Sequence, residues 1–237
     1  MTLLKNLRNN RIFTIIFRSI LIVIIITGVL LTAIKDGVFH FNTMLYYTTL
    51  SNVFVLIITS LLLFRTIMDF SKLGKSGSST IYVPLHFVAL VDIMITFLVY
   101  WTLLVPSDIK LRGSEMIFSY SNLAVHLIVP LLFAFDYYMF SRPKSISYKI
   151  IFYTWIFPLC YLVLALILGF SNHKFGTRDD GSIIRFPYFF IDFDEQGYFI
   201  ILWVMGIIAF FSIVAFLGYI IDKKRIHKYL NQWRSEI

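Results

Sequence analysis

A threonine hydroxyl becomes a nucleophile when a base lies within hydrogen-bond reach and donors await the charge that develops on the substrate. Two stretches of this chain carry residues of those types. Residues 46–52 read Tyr-Tyr-Thr-Thr-Leu-Ser-Asn, and residues 119–126 read Ser-Tyr-Ser-Asn-Leu-Ala-Val-His. In a helix, Thr48, Ser51 and Asn52 fall on one face, being three and four residues apart, and Thr59 continues the stripe. Ser119, Asn122 and His126 repeat that spacing, while Asp92 and Thr96 add a third polar pair. A histidine within hydrocarbon is expected to be neutral and able to accept a proton. On this reading Thr48 supplies the hydroxyl and His126 the base. Asn52 donates to an oxyanion or fixes a side chain, and Asp92 orients the histidine or relays a proton. The structural alternative is that these Thr and Ser hydroxyls bond back to their own helices and that Asn and His join helices together.

What must position these groups is a set of apolar helices. Of 237 residues, 59% are hydrophobic and 14% charged, a balance that a soluble domain could not bury while staying dispersed. Six runs approach the roughly 20 residues needed to cross a bilayer: about 12–34, 46–68, 82–105, 117–139, 150–170 and 198–221. The first is longer than a signal-peptide core and lacks a cleavage site after it, so it is kept as a span. The expectation is an all-α, polytopic membrane protein, residues 1–237 forming one bundle of six transmembrane helices.

Lys and Arg set the orientation. With the N-terminus inside, the inner segments collect Lys5, Arg8, Arg11, Arg65, Lys72, Lys75, Arg142, Lys144, Lys149, Lys223, Lys224, Arg225, Lys228 and Arg234. The outer loops hold Lys35, Lys110, Arg112, Lys174, Arg178 and Arg185, together with Asp179, Asp180, Asp192, Asp194 and Glu195. Both termini are expected in the cytoplasm, with the protein in the cell membrane. The net charge of +8 then reflects topology and contact with anionic lipid rather than nucleic-acid binding.

Other residues receive structural readings. Cys160 is the only cysteine and is expected to be a buried thiol. Asp136, beside Tyr137, Tyr138 and Arg142, is read as an interfacial anchor, and His86 as too near the inner end to join the cluster. His40, His173 and His227 lie outside the spans and are expected to be solvated. The segment Gly74 to Thr80 reads as a flexible connector, since its GKS lacks the first glycine of a phosphate-binding loop. A metal site from His173, Asp179, Asp180, Asp192 and Glu195 fits no standard spacing, so neither metal nor cofactor is expected. Asp194 reads as the N-cap of the last helix. Pro130 and Pro158 each remove a helix hydrogen bond, freeing the carbonyls of His126 and Thr154 and suggesting a small polar pocket.

The order "YYTTLSNVFV", "VYWTLLVP", "NLAVHLIVPLLFAFDYYMF", "YTWIFPLCYLVLALILG" and "RFPYFFIDFDEQGYF" resembles the androgen-induced-protein and ADTRP superfamily, in particular its prokaryotic six-span branch, over about residues 40–220. The resemblance implies hydrolysis of fatty acid esters of hydroxy fatty acids, with Thr48 on the catalytic threonine and His126 on the histidine. A shift of one residue in that match would select Thr49 instead. The expected partners are membrane lipids and a lipid ester. A small-solute or ion transporter, or a non-enzymatic scaffold, would use the same bundle without ester cleavage.

Overall fold

In the computed structural model, residues 7–106, 109, 117–141, 146–178 and 181–235 are described, with no side-chain account beyond His227. Lys5, Lys110, Arg112, Arg142, Lys144, Asp179 and Asp180 lie outside the described residues. Among the described residues, six helices are long and apolar enough to cross a membrane. These are α1 (Arg11–Ala33), α2 (Tyr47–Leu73), α3 (Val83–Leu104), α4 (Tyr120–Phe140), α5 (Ile150–Phe170) and α6 (Ile200–Ser235). Two hairpins of two-residue strands punctuate the loops: β1 (Ile34–Lys35) with β2 (Val38–Phe39), and β3 (Gly176–Thr177) with β4 (Ile183–Ile184).

The helices are apolar on both sides, so what separates inside from outside is size and polarity. In α1 the buried stripe is Thr14, Arg18, Leu21, Ile25 and Val29, at three- and four-residue spacing. The opposite face shows Ile16, Ile20, Val23 and Leu30 to the surroundings. Gly28 lets α1 approach α4, because a β-carbon there would lie 2.9 Å from the Ala124 side chain. Cys160 on α5 is exposed on the bundle surface, not buried as its apolar context suggested. A helix apolar all round hides no more of its thiols than of its leucines.

The connector between α2 and α3 is clamped. Arg11 donates to the carbonyls of Gly74 and Ser76 and to Ser79 Oγ, and the Gly77 N–H bonds to Asn9. Gly77 has φ +119°, and any β-carbon there would meet the Arg11 guanidinium. Hydrogen bonds from α1 thus convert a Gly/Ser-rich sequence, expected to be flexible, into a fixed turn.

A buried ion pair anchors this same end. Arg18 Nε lies 2.7 Å from Asp136 Oδ1, and its other nitrogens reach Asp136 Oδ2, Thr66 Oγ1 and the carbonyls of Leu62 and Ser79. Both charged side chains are fully buried. Asp136 is therefore the partner of Arg18 and not an interfacial anchor. His86 completes the cluster, 3.5 Å from Asp136 through Nε2 and bonded to Ser141 through Nδ1.

Candidate functional site

Helices α3 and α4 each contain one widened turn. Tyr100–Leu104 and Ala124–Ile128 are π-helical, and such an insertion rotates the side chains that follow it. In α4 the cause is Pro130, which has no N–H to offer the His126 carbonyl. Trp101 supplies the missing donor: its Nε1–H bonds to that carbonyl at 3.1 Å. The two irregular turns therefore meet, and His126 and Tyr100 come together where they do. Their rings stack at 3.6 Å between centroids and 19° between planes. Replacing Trp101 with phenylalanine is expected to leave the carbonyl without its donor and to lower stability by about 1–3 kcal/mol. A thermal melt in detergent checks this; an unchanged midpoint would contradict it.

The histidine is held in one tautomer. Its Nδ1 lies 3.1 Å from the carbonyl of Asn122, four residues earlier. A carbonyl only accepts, so Nδ1 carries the proton and Nε2 presents a lone pair. Facing that lone pair, at 3.2 Å, is Thr48 Oγ1. Thr48 therefore donates to His126. Thr49, rotated about 100° along the helix, turns away and donates to the carbonyl of Thr43 at 2.7 Å, so of the two adjacent threonines it is Thr48 that contacts His126.

The surrounding polar residues brace this pair. Asn52 spends both amide hydrogens on carbonyls, those of Thr48 at 2.8 Å and Val125 at 3.1 Å. It ties α2 to the π turn of α4 and has no hydrogen left for an oxyanion. Asn122 likewise donates to the Tyr100 hydroxyl and to the carbonyl of Ile117. Ser51 bonds to Thr96 across the α2–α3 contact at 2.8 Å. Asp92 is fully buried one turn along α3, with the Tyr47 hydroxyl as its polar neighbour. It does not orient His126; the Asn122 carbonyl does. Thr59 bonds back to Val55 within its own helix.

Thr48 also stands in the first turn of α2. The first helical bond there runs from Leu50 N–H to the Tyr46 carbonyl, so the N–H groups of Tyr47, Thr48 and Thr49 have no acceptor within the helix. Such a terminus favours negative charge nearby.

From Thr48 a cavity of about 90 Å³ extends between α3, α5 and α6. Ile95, Val99, Leu162, Ile207 and Phe211 are among its walls, and Thr48, Tyr47, Tyr161 and Tyr188 also line it. Apolar walls with a few convergent polar groups suit a mostly apolar ligand with one reactive polar centre.

The loop between β4 and α6 contributes Tyr188, Phe190 and Ile191 to the cavity wall. Gly169 on α5 leaves room for Phe186, whose ring would clash with any β-carbon there. Arg178 bonds to Asp192 at 2.6 Å and to Glu195, and Arg185 bonds to Asp194. Asp192, not Asp194, caps the short helical turn Phe193–Gln196 that leads into α6, accepting from the Asp194 N–H. These acids are engaged by arginines, and no group of three metal-ligating side chains occurs among the described residues. His173 is not simply solvated but bonds to Asn42 at 3.1 Å, joining the loop to the segment before α2. Within the loop, burial pushes the Tyr188 phenol up to about 12, so it keeps its proton and remains a donor.

The sequence reading missed Tyr100, Trp101 and Tyr188. Each is one aromatic among many in its segment, and only the packing of distant helices distinguishes it. The chain matches no family model, no curated protein and no solved structure.

Proposed function

We propose that this chain is a multi-pass cell-membrane hydrolase of lipid esters, with both termini cytoplasmic, in which Thr48 is the nucleophile and His126 the general base. The observation that carries the reading is the Thr48 Oγ1 to His126 Nε2 contact of 3.2 Å, with the imidazole oriented by the Asn122 carbonyl. This is the nucleophile, base and orienting group of a hydroxyl-dependent acyl transfer, with a backbone carbonyl as the third member. The apolar cavity beginning at Thr48 suits an acyl chain. The resemblance to the androgen-induced-protein superfamily points to the same two residues and to esters of hydroxy fatty acids. Orientation rests on the excess of Lys and Arg in the segments between even-numbered and following odd-numbered spans and at the termini.

In the proposed cycle the Thr48 proton moves to His126 Nε2 as Oγ1 attacks the ester carbonyl. The alcohol leaves with that proton, and water activated by the same nitrogen releases the acid. Hydrolysis of a medium-chain 4-nitrophenyl ester by purified protein in lipid nanodiscs tests it. Turnover that Thr48→Ala abolishes supports the reading; equal turnover in wild type and Thr48→Ala refutes it.

One observation favours a second reading. Both carboxyl oxygens of Asp92 are buried without a hydrogen bond, as a group serving a solute or proton path would be. Uptake into proteoliposomes that requires Asp92, in the absence of ester cleavage, would select a transporter.

A further inference from the structure

We propose that Tyr188 is a third catalytic residue of this site, its hydroxyl donating to the carbonyl oxygen that becomes negative when Thr48 attacks. The inference rests on the hydrolase reading and deepens it.

Tyr188 belongs to the aromatic loop segment Phe186 to Ile191, which neither the nucleophile nor the base explains. Its side chain lines the same cavity as Tyr47 and Thr48, with its hydroxyl near the Thr48 side chain and the first-turn backbone of α2. Aromatic packing fixes the ring on several sides. It meets Tyr46 edge-on at 5.7 Å and Tyr161 at 6.2 Å, and it stacks on Phe190 at 5.2 Å with 5° between planes. The loop that carries it is held by Phe186 against Gly169 and by the arginine–carboxylate contacts beyond it. A side chain present only to fill space between aromatics would not need its oxygen at the first turn of α2.

The donor arithmetic favours this role. The only hydroxyl proton of Thr48 faces His126 Nε2, which leaves the Tyr188 O–H, on the same cavity, as a hydroxyl donor not committed to the base. During attack one Oγ1 lone pair forms the new C–O bond, the Thr48 proton passes to Nε2, and the carbonyl π pair moves onto the carbonyl oxygen. The Tyr188 O–H donates to that oxygen. On collapse the pair returns, the bond to the alcohol oxygen breaks, and that oxygen takes the proton from Nε2. Tyr188 keeps its own proton throughout. Water then repeats the sequence on the acyl–Thr48 bond, so ester and water give acid and alcohol.

The test compares full-length wild type, Thr48→Ala and Tyr188→Phe in nanodiscs, with 4-nitrophenyl decanoate as the probe. Tyr188→Phe removes one oxygen and keeps the ring stacking. Its kcat is expected to fall about 10²–10³-fold, the loss typical of one oxyanion donor, with KM within a few-fold of wild type. Wild-type kcat in Tyr188→Phe, or a change in KM alone, would overturn the proposal and leave a packing role. Should that variant fail to fold, trifluorotyrosine at position 188 retains the ring and lowers the phenol's pKa. The alkaline limb of kcat is then expected at lower pH than in wild type, and an unchanged profile would overturn the proposal. Thr48→Ala separates the two readings. If it is as active as wild type, the hydrolase reading fails and this proposal with it; if it is inactive while Tyr188→Phe is fully active, only the Tyr188 proposal fails.

Discussion

His126→Ala is expected to lower ester turnover by about 10²–10⁴-fold, the range contributed by a positioned general base, and Thr48→Ala to abolish acyl-enzyme formation altogether. The two effects should not add. Without Nε2 the Thr48 hydroxyl has no proton acceptor, and without the hydroxyl the base has nothing to activate, so the double variant should resemble the worse single one. Thr48→Ser, which keeps the oxygen, is expected to retain activity. Thr49→Ala is the matched control: its hydroxyl is committed to the Thr43 carbonyl, and its loss should leave turnover nearly intact. Steady-state kinetics on the five variants checks this set. An inactive Thr49→Ala beside an active Thr48→Ala would reverse the assignment.

The second large effect concerns stability. Asp136→Asn or Arg18→Met alone leaves one buried charge without its partner, and each is expected to cost about 3–5 kcal/mol. The double variant Arg18→Met with Asp136→Leu removes both charges together and should recover most of that loss. Thermal unfolding in detergent measures the difference. Single variants as stable as wild type would show that the Arg18–Asp136 bond contributes little to joining α1 and α4. The Thr48–His126 pair proposed to cleave esters lies toward the opposite ends of α2 and α4, so the double variant should keep any such activity if it folds.

The six helices were legible because each is a run of apolar residues close to the length of a bilayer crossing, and the structure keeps all six within a few residues at most of their ends. Helix α2 runs on to Leu73 because the chain first meets a helix-ending glycine at Gly74. The polar faces were legible too, since spacings of three and four fix a common side of a helix. What a spacing rule does not contain is contact between helices. Arg18 and Asp136 are 118 residues apart and Thr48 and His126 are 78 apart; nothing local pairs them. Asp92 looked like the orienter of the histidine because a carboxylate is the familiar partner, yet it is the Asn122 carbonyl, four residues earlier on the same helix, that bonds to the ring. Asn52 looked like a donor in waiting until the carbonyls of Thr48 and Val125 claimed both its hydrogens. The glycine and serine connector failed in the other direction, because flexibility read from composition ignores an arginine arriving from another helix.

The central claim is that Thr48 is an activated nucleophile. Treatment of purified wild type, Thr48→Ala, Thr49→Ala and His126→Ala with a fluorophosphonate, followed by peptide mass spectrometry, tests it most directly. The account predicts an adduct on Thr48 in wild type and Thr49→Ala that is lost in His126→Ala. Adduct formation elsewhere, or none on folded wild-type protein, would contradict it.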